Sequence, residues 1–351
     1  MAYFSKPSDV KVGVIGYGGA FHMGKAHLTQ MQRAGMKPFA VCEIDADRLK
    51  VAEEDFPGIE TYDSLDKMLK HSDVNLLVHI TPHNLHYKLA AKCLRAAKHV
   101  VTEKPFVLTT AEADKLIRLA EDNDVMVSTY HNRHWDGWIV RARREIVDKG
   151  VIGDVHRVEL RNGGYGMPRQ WWRSSKSVSG GVLYDWGVHL LEYALQLVPS
   201  DIVEVAGFHV CGYWSEKMPK KHPWKNDCNE DEAAAVVRFA NGARIDLTAT
   251  SIGANPERNY MLEAYGTKGS YLLNGKQWVT HTVNRQGKLV EKSGEHPRSG
   301  GGRIYYRNIA DYLTGKADLI ITPQWARRPI HILDLAGRSA AKNKTLKAKY
   351  A

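Results

Sequence analysis

Val10-Lys-Val-Gly-Val-Ile15 runs directly into Gly16-Tyr-Gly18-Gly19-Ala20, and a helical pattern follows over about 25–34. A short apolar run that ends in glycines and opens a helix starts a βαβ unit. The glycine turn lets a backbone come close to a pyrophosphate, and the next helix offers it unpaired N–H groups. Gly16, Gly18, Gly19, Ala20 and Phe21 are therefore cofactor-side candidates. Phe21 stands where the G-x-G-x-x-G fingerprint has its third glycine, and Gly24 comes three residues later, so the spacing predicts a turn one or two residues longer than usual.

Outward from this turn, strand and helix patterns alternate. Strands are expected at 38–42, 74–80, 99–102 and 125–128, and helices at 47–55, 64–70, 86–97 and 110–123, the last opened by a Thr N-cap. The strands read as continuous apolar runs, as strands buried on both faces do, so a parallel sheet is predicted for residues 1–130. Glu43 ends the second strand. A carboxylate there accepts both ribose hydroxyls and repels a 2′-phosphate. Ile44 and Asp45 follow it rather than Arg or Lys, which favours NAD over NADP.

After about Tyr130 the texture changes. Helices are expected at 138–149 and 183–198 and a strand at 155–160. Strands at 233–239 and 243–251 flank the hairpin signal Asn241-Gly242, and others follow at 260–265, 270–273 and 277–283. Two helices, 303–314 and 323–341, close the chain, the last able to pack back on the N-terminal domain. Segments 217–229 and 293–302 read as irregular. Residues 131–351 form a second domain, an antiparallel sheet with helices on one side.

Two constellations carry chemistry. Glu103-Lys104-Pro105 lies at the C-terminal end of a parallel strand, the edge where open α/β sheets bind ligands. There Lys104 would bind a substrate hydroxyl and stabilise a developing alkoxide. Asp185 and His189 are four apart on a largely apolar helix and share one face. The carboxylate would orient the imidazole, the usual general base near neutral pH. Around them Arg133, Tyr165, Trp171, Trp172 and Arg173 are substrate-side candidates: indole faces pack on sugar C–H faces or serve as core, and the arginines bind substrate oxygens or close ion pairs. His83-x-x-His86 and His131-x-x-His134 have metal-like spacing, but no nearby Cys or carboxylate completes a set, and no metal is expected.

Taken together and in this order, the glycine turn with Gly24-Lys-Ala-His27, Ile80-Thr-Pro-His-Asn-Leu-His86, Glu103-Lys-Pro105 and Asp185-x-x-x-His189 resemble the Gfo/Idh/MocA oxidoreductase family of glucose–fructose oxidoreductase and inositol 2-dehydrogenase. The resemblance covers nearly the whole chain. It implies a Rossmann domain followed by an α+β domain with an open, mostly antiparallel sheet, often the interface of a homodimer or homotetramer. It matches Lys104, Asp185 and His189 to the family's substrate-side residues, His189 as base, and Thr81 and Pro82 to residues lining the cofactor. His83, His86, Glu103 and Lys104 complete the cofactor side. Family members commonly carry Asn where His83 stands.

The bulk numbers fit. At 351 residues, 43% hydrophobic and 25% charged, two globular domains are expected. The net charge of +10 is scattered apart from 342–349, which argues against a nucleic-acid partner. No apolar run suits a membrane span, Met1-Ala-Tyr-Phe-Ser-Lys6 has no apolar signal core, and a cytoplasmic location is expected. Cys42, Cys93, Cys211 and Cys228 are expected to be buried free thiols. The expected activity is NAD-dependent hydride transfer on a sugar, cyclitol or related polyol. The rivals are glycoside cleavage with recycled NAD and a non-catalytic NAD- and sugar-binding regulator.

Overall fold

The computed structural model describes residues 2–255 and 260–349. The chain divides into two units, Met1–Asn132 with Gly300–Arg328 and Arg133–Ser299 with Pro329–Ala351. Neither is one continuous stretch.

In the first unit β1 (Lys11–Ile15) leads to α1 (Met23–Arg33), β2 (Lys37–Cys42), α2 (Ala46–Asp55), β3 (Glu60–Tyr62), α3 (Leu65–His71), β4 (Leu76–His79), α4 (His86–Arg95), β5 (His99–Thr102), α5 (Thr110–Asp122) and β6 (Val127–Thr129). The six strands form one parallel sheet in the order β3-β2-β1-β4-β5-β6. Val12, Val14, Leu76, Leu77, Val78, Val100 and Val101 are fully buried, as strands covered on both faces must be. The order reverses between β1 and β4, the switch point at which such sheets bind ligands. Helix α5 starts from Thr109, one residue before the threonine that opens the expected helix. Thr109 Oγ1 accepts the Glu112 N–H at 3.2 Å and Glu112 Oε2 accepts the Thr109 N–H at 3.1 Å, a reciprocal cap.

The second unit contains α6 (Gly137–Arg143), which runs on as a π turn over Arg144–Asp148, then β7 (Val155–Gly163), α7 (Lys176–Ser179), α8 (Leu183–Leu197), β8 (Ile202–Val210), α9 (Tyr213–Lys217), β9 (Glu232–Phe239), β10 (Arg244–Thr250), β11 (Leu262–Gly266), β12 (Gly269–Leu273), β13 (Gln277–Val283) and β14 (Leu289–Glu295). Helix α10 (Gly301–Leu313) belongs to the first unit, α11 (Pro323–Lys342) crosses the unit boundary after Arg328, and β15 (Leu346–Lys347) ends the second. The nine-stranded sheet runs β14-β13-β12-β11-β7-β10-β9-β8-β15 and is antiparallel except where β7 lies parallel to β10. Its buried face carries Val158, Leu160, Ile245, Leu247 and Ala249, and α8 packs against β7 and β10.

Several expectations need correction. Strands β3, β8, β14 and β15 lie where none is expected, and β14 and the start of α10 occupy half of the segment read as irregular at 293–302. Cys42 and Cys93 are buried free thiols, but Cys211 is exposed and Cys228 half-buried, because both lie in the irregular chain outside β8 and before β9. Among the described residues, no helix is long and apolar enough to cross a membrane.

Candidate active site

The glycine turn sits at the switch point. Gly16 follows β1 with φ +99°, and a Cβ there would lie 2.4 Å from the Ile80 carbonyl oxygen beyond β4, so only glycine fits. Gly18 faces open space. Gly24 performs the close-packing task of the missing third glycine, since a Cβ there would meet the Tyr17 ring at 2.5 Å and the Gly16 carbonyl at 3.1 Å. The inserted residues place Phe21 on the outside, 60% exposed, and His22 in the left-handed region at the start of α1. The His22 side chain does not cap that helix, which leaves its first N–H groups open to a ligand.

Glu43 follows β2 directly and lies against this turn. Its Oε2 accepts the Tyr17 N–H at 2.6 Å, and its Oε1 accepts the N–H groups of Ile44 and Asp45 at 2.7 and 3.2 Å. A carboxylate oxygen takes two donors, so Oε2 keeps capacity for one ribose hydroxyl. Arg48, one turn into α2, escaped the sequence reading. A Cβ on Gly19 would sit 2.3 Å from its Nη2, so its guanidinium lies flat against the open side of the turn. Helical spacing from Glu43 was the available signal, but only the fold brings Arg48 to Gly19.

The loops after β4 and β5 supply the rest of this half. The Thr81 hydroxyl is buried and has no hydrogen-bond partner, a donor left for a ligand. Such an orphan, the glycine-only approach at Gly16 and the Glu43 carboxylate fit a dinucleotide. Pro82 precedes a short helical turn that begins with the buried His83. His86 is fully buried. Its Nδ1 donates to the Pro105 carbonyl at 2.7 Å and its Nε2 lies 3.1 Å from the Thr81 carbonyl, so it ties the two loops together rather than facing a ligand. Burial, then the His86 ring, holds His79 well below the usual histidine pKa. Glu103 Oε2 accepts the Lys104 N–H at 3.0 Å.

In the second unit α8 presents Asp185 and His189 one turn apart near its N-terminus, as the spacing requires. His189 is 5% exposed, and its ring stands edge-on to Trp186 at 5.6 Å. Asp185 pairs with Arg173, whose guanidinium lies 5.4 and 4.9 Å from the rings of Trp171 and Trp172. Arg133 lies over Trp186 at 4.7 Å and bonds Asp136 at 3.1 Å, and Asp136 also accepts the Tyr193 hydroxyl at 2.7 Å. Both arginines thus close ion pairs. Burial pushes the Asp136 carboxyl up despite these donors. Glu192, buried one turn beyond His189, bonds His134, a pair the sequence reading missed. Tyr165 is 56% exposed, with its hydroxyl on that of Tyr213.

Known families match both parts of the chain. Residues 10–131 match the profile of an oxidoreductase family with an NAD-binding Rossmann fold, and residues 140–272 match the GFO/IDH/MocA C-terminal domain. The chain is 25% identical to the scyllo-inositol 2-dehydrogenase (NADP(+)) IolW of Bacillus subtilis, over 97% of this chain and 96% of that one. It is 26% identical to the myo-inositol 2-dehydrogenase of Thermotoga maritima over 77% of each. A solved NAD-binding protein from Listeria innocua shares the fold with a TM-score of 0.77, at 23% identity over 97% of both chains. The glycine turn, the strand-end lysine and the two-unit architecture, with both profiles in register, place this chain in the Gfo/Idh/MocA family of dinucleotide-dependent oxidoreductases.

Proposed function

We propose that this enzyme is an NAD-dependent dehydrogenase of a sugar, cyclitol or related polyol. The observation that carries the reading is the first unit's switch point, where Gly16, the Glu43 carboxylate and the unpartnered Thr81 hydroxyl converge beside the strand that Lys104 follows. When bound, the dinucleotide supplies the hydride acceptor or donor. Lys104 holds the reacting hydroxyl and stabilises negative charge on its oxygen. His189 takes the hydroxyl proton, and Asp185, held in place by Arg173, stands one turn away on the same helix. Trp171, Trp172 and Tyr165 offer apolar faces to a sugar ring. The two inositol dehydrogenases among the relatives support the substrate class.

The test is NADH formation at 340 nm across sugars, cyclitols, sugar acids and glycosides, with NAD⁺ and NADP⁺ run separately. Turnover on one polyol class with NAD⁺ is expected. In the same assay Glu43→Ala should move the NADP-over-NAD preference by at least about tenfold, because the repelling carboxylate is gone while Arg48 remains beside the turn. An unmoved preference refutes Glu43 as the discriminator. Bound NAD with no net NADH on any substrate, but glycoside cleavage, would replace this reading with the recycling one.

We also assign a homo-oligomer, a dimer or tetramer joined through the nine-stranded sheet, in a cytoplasmic protein without nucleic-acid or membrane partners. Support comes from the sheet face away from α8, where Phe208 is 61% exposed opposite Ala234 in the register. Light scattering after size exclusion should give a multiple of 39.5 kDa, and Phe208→Asp should return the monomer mass. A monomeric parent would refute it.

A further inference from the structure

A chain of three side chains, two buried and one half-buried, ends on Lys104. Tyr306 on α10, His27 on α1 and Glu103 beyond β5 all belong to the first unit. Tyr306 Oη lies 2.5 Å from His27 Nδ1, and His27 Nε2 lies 2.9 Å from Glu103 Oε1. The other carboxylate oxygen, Oε2, accepts the Lys104 N–H at 3.0 Å. The directions follow from what each group can do. A carboxylate only accepts, so Nε2 carries the hydrogen and donates. In the neutral ring Nδ1 then accepts, and the Tyr306 hydroxyl donates.

Packing fixes this chain in place. His27 and Tyr306 are fully buried. The Tyr130 ring stands edge-on to His27 at 4.3 Å and stacks on Tyr306 at 5.5 Å, while its own hydroxyl donates to Gln30 Oε1 at 2.6 Å. A carboxylate out of water is costly unless it is bonded. Burial pushes the Glu103 carboxyl up, but His27, by hydrogen bond and charge, and then Lys104 pull harder, and it is held lower than an ordinary glutamate carboxyl. Burial also holds Tyr306 well above the usual phenol value, so it remains a donor. The titratable groups facing Glu103 are His27, His86, Lys104, Tyr130, Tyr305 and Tyr306.

We propose that His27 and Tyr306 are positioning residues which keep Glu103 a fixed carboxylate, and that this carboxylate anchors the main chain of Lys104 and sets a constant negative charge beside its ammonium. The proposal rests on the reading of Lys104 as the residue that handles the reacting hydroxyl. A lysine ammonium is a point charge on a flexible stem, so its placement depends on what holds its backbone and faces its charge.

The first readout needs no substrate. Glutamate labelled with ¹³C at the carboxyl would be titrated by NMR in the parent and in His27→Ala, His27→Gln and Tyr306→Phe, with Glu103→Gln giving the assignment. In His27→Ala the Glu103 midpoint should rise by at least about one pH unit, since burial is then opposed only by the Lys104 charge and N–H. His27→Gln, whose amide N–H replaces Nε2–H, should hold it within about half a unit, and Tyr306→Phe should fall between. A Glu103 midpoint unmoved in a folded His27→Ala protein overturns the proposal. The second readout is steady-state kinetics on the polyol found in the 340 nm assay. His27→Ala should lower kcat about 10- to 100-fold with the dinucleotide KM within about twofold, and His27→Gln should restore most of it. Parent kcat in His27→Ala overturns the positioning role. Full activity in Lys104→Ala, with Glu103 still shifted by His27→Ala, would instead overturn the Lys104 reading and leave the carboxylate anchor standing.

Discussion

Lys104→Ala should lower kcat by about a thousandfold, within the 10²–10⁴ range that positioned electrostatic and acid–base groups supply, and leave the dinucleotide Kd within about threefold. A thousandfold corresponds to about 4 kcal/mol of transition-state stabilisation. The two halves of that expectation have different origins. The dinucleotide's grip comes from the turn after β1, from Glu43 and from the loop after β4, none of which depends on the Lys104 ammonium. The charge that develops on the reacting oxygen, by contrast, has its cation at the end of β5. Methionine at this position keeps the stem and removes the charge, so it separates electrostatics from packing. Binding would be read by quenching of tryptophan fluorescence with NADH, and turnover at 340 nm. A Lys104→Ala enzyme within about fivefold of the parent would remove Lys104 from the mechanism.

Gly207→Val should cost about 3 kcal/mol or more, the upper end of overpacking, and lower the unfolding midpoint by more than about 5 °C. Gly207 lies in β8 under α11. A Cβ there would come within 1.9 Å of the Ala336 carbonyl oxygen and 2.6 Å of its carbon, and both are backbone atoms that no rotamer change can move. The glycine's N–H donates to Ser339 Oγ at 2.8 Å, and the same oxygen donates to the Lys344 carbonyl at 2.7 Å. A side chain at 207 would therefore lift α11 off the strand, break this buried clamp and expose Leu333 and Ala336, which are almost fully buried. Calorimetry would show the effect as a shift of the transition that includes the second unit. A variant melting within about 2 °C of the parent would mean that the helix can shift without loss.

Local chemistry along the chain was enough for much of this. The apolar run of β1 and its glycines name a Rossmann unit because sheet burial and turn geometry are written in neighbouring residues. The same holds for the Asn241-Gly242 hairpin, where Gly242 sits at φ +84°. Asp185 and His189 share a face because four residues is one helical turn. Strand β3 escaped because three half-buried residues carry no period, and β14 because its exposed Lys and Glu residues show no alternation. Strand β8 escaped because Gly207, which α11 requires, breaks its pattern.

The sequence by itself determined the elements that carry a clear period or turn signal and the residues that stand at their ends, since both follow from periodicity and turn residues within a few positions. Only the tertiary structure decided the partners. Arg48 lies on Gly19, Asp185 is held by Arg173, and Tyr306 reaches Glu103 through His27 across 279 and 76 positions. Such pairs follow from how whole elements pack, and no local pattern encodes which distant donor meets a half-buried carboxylate.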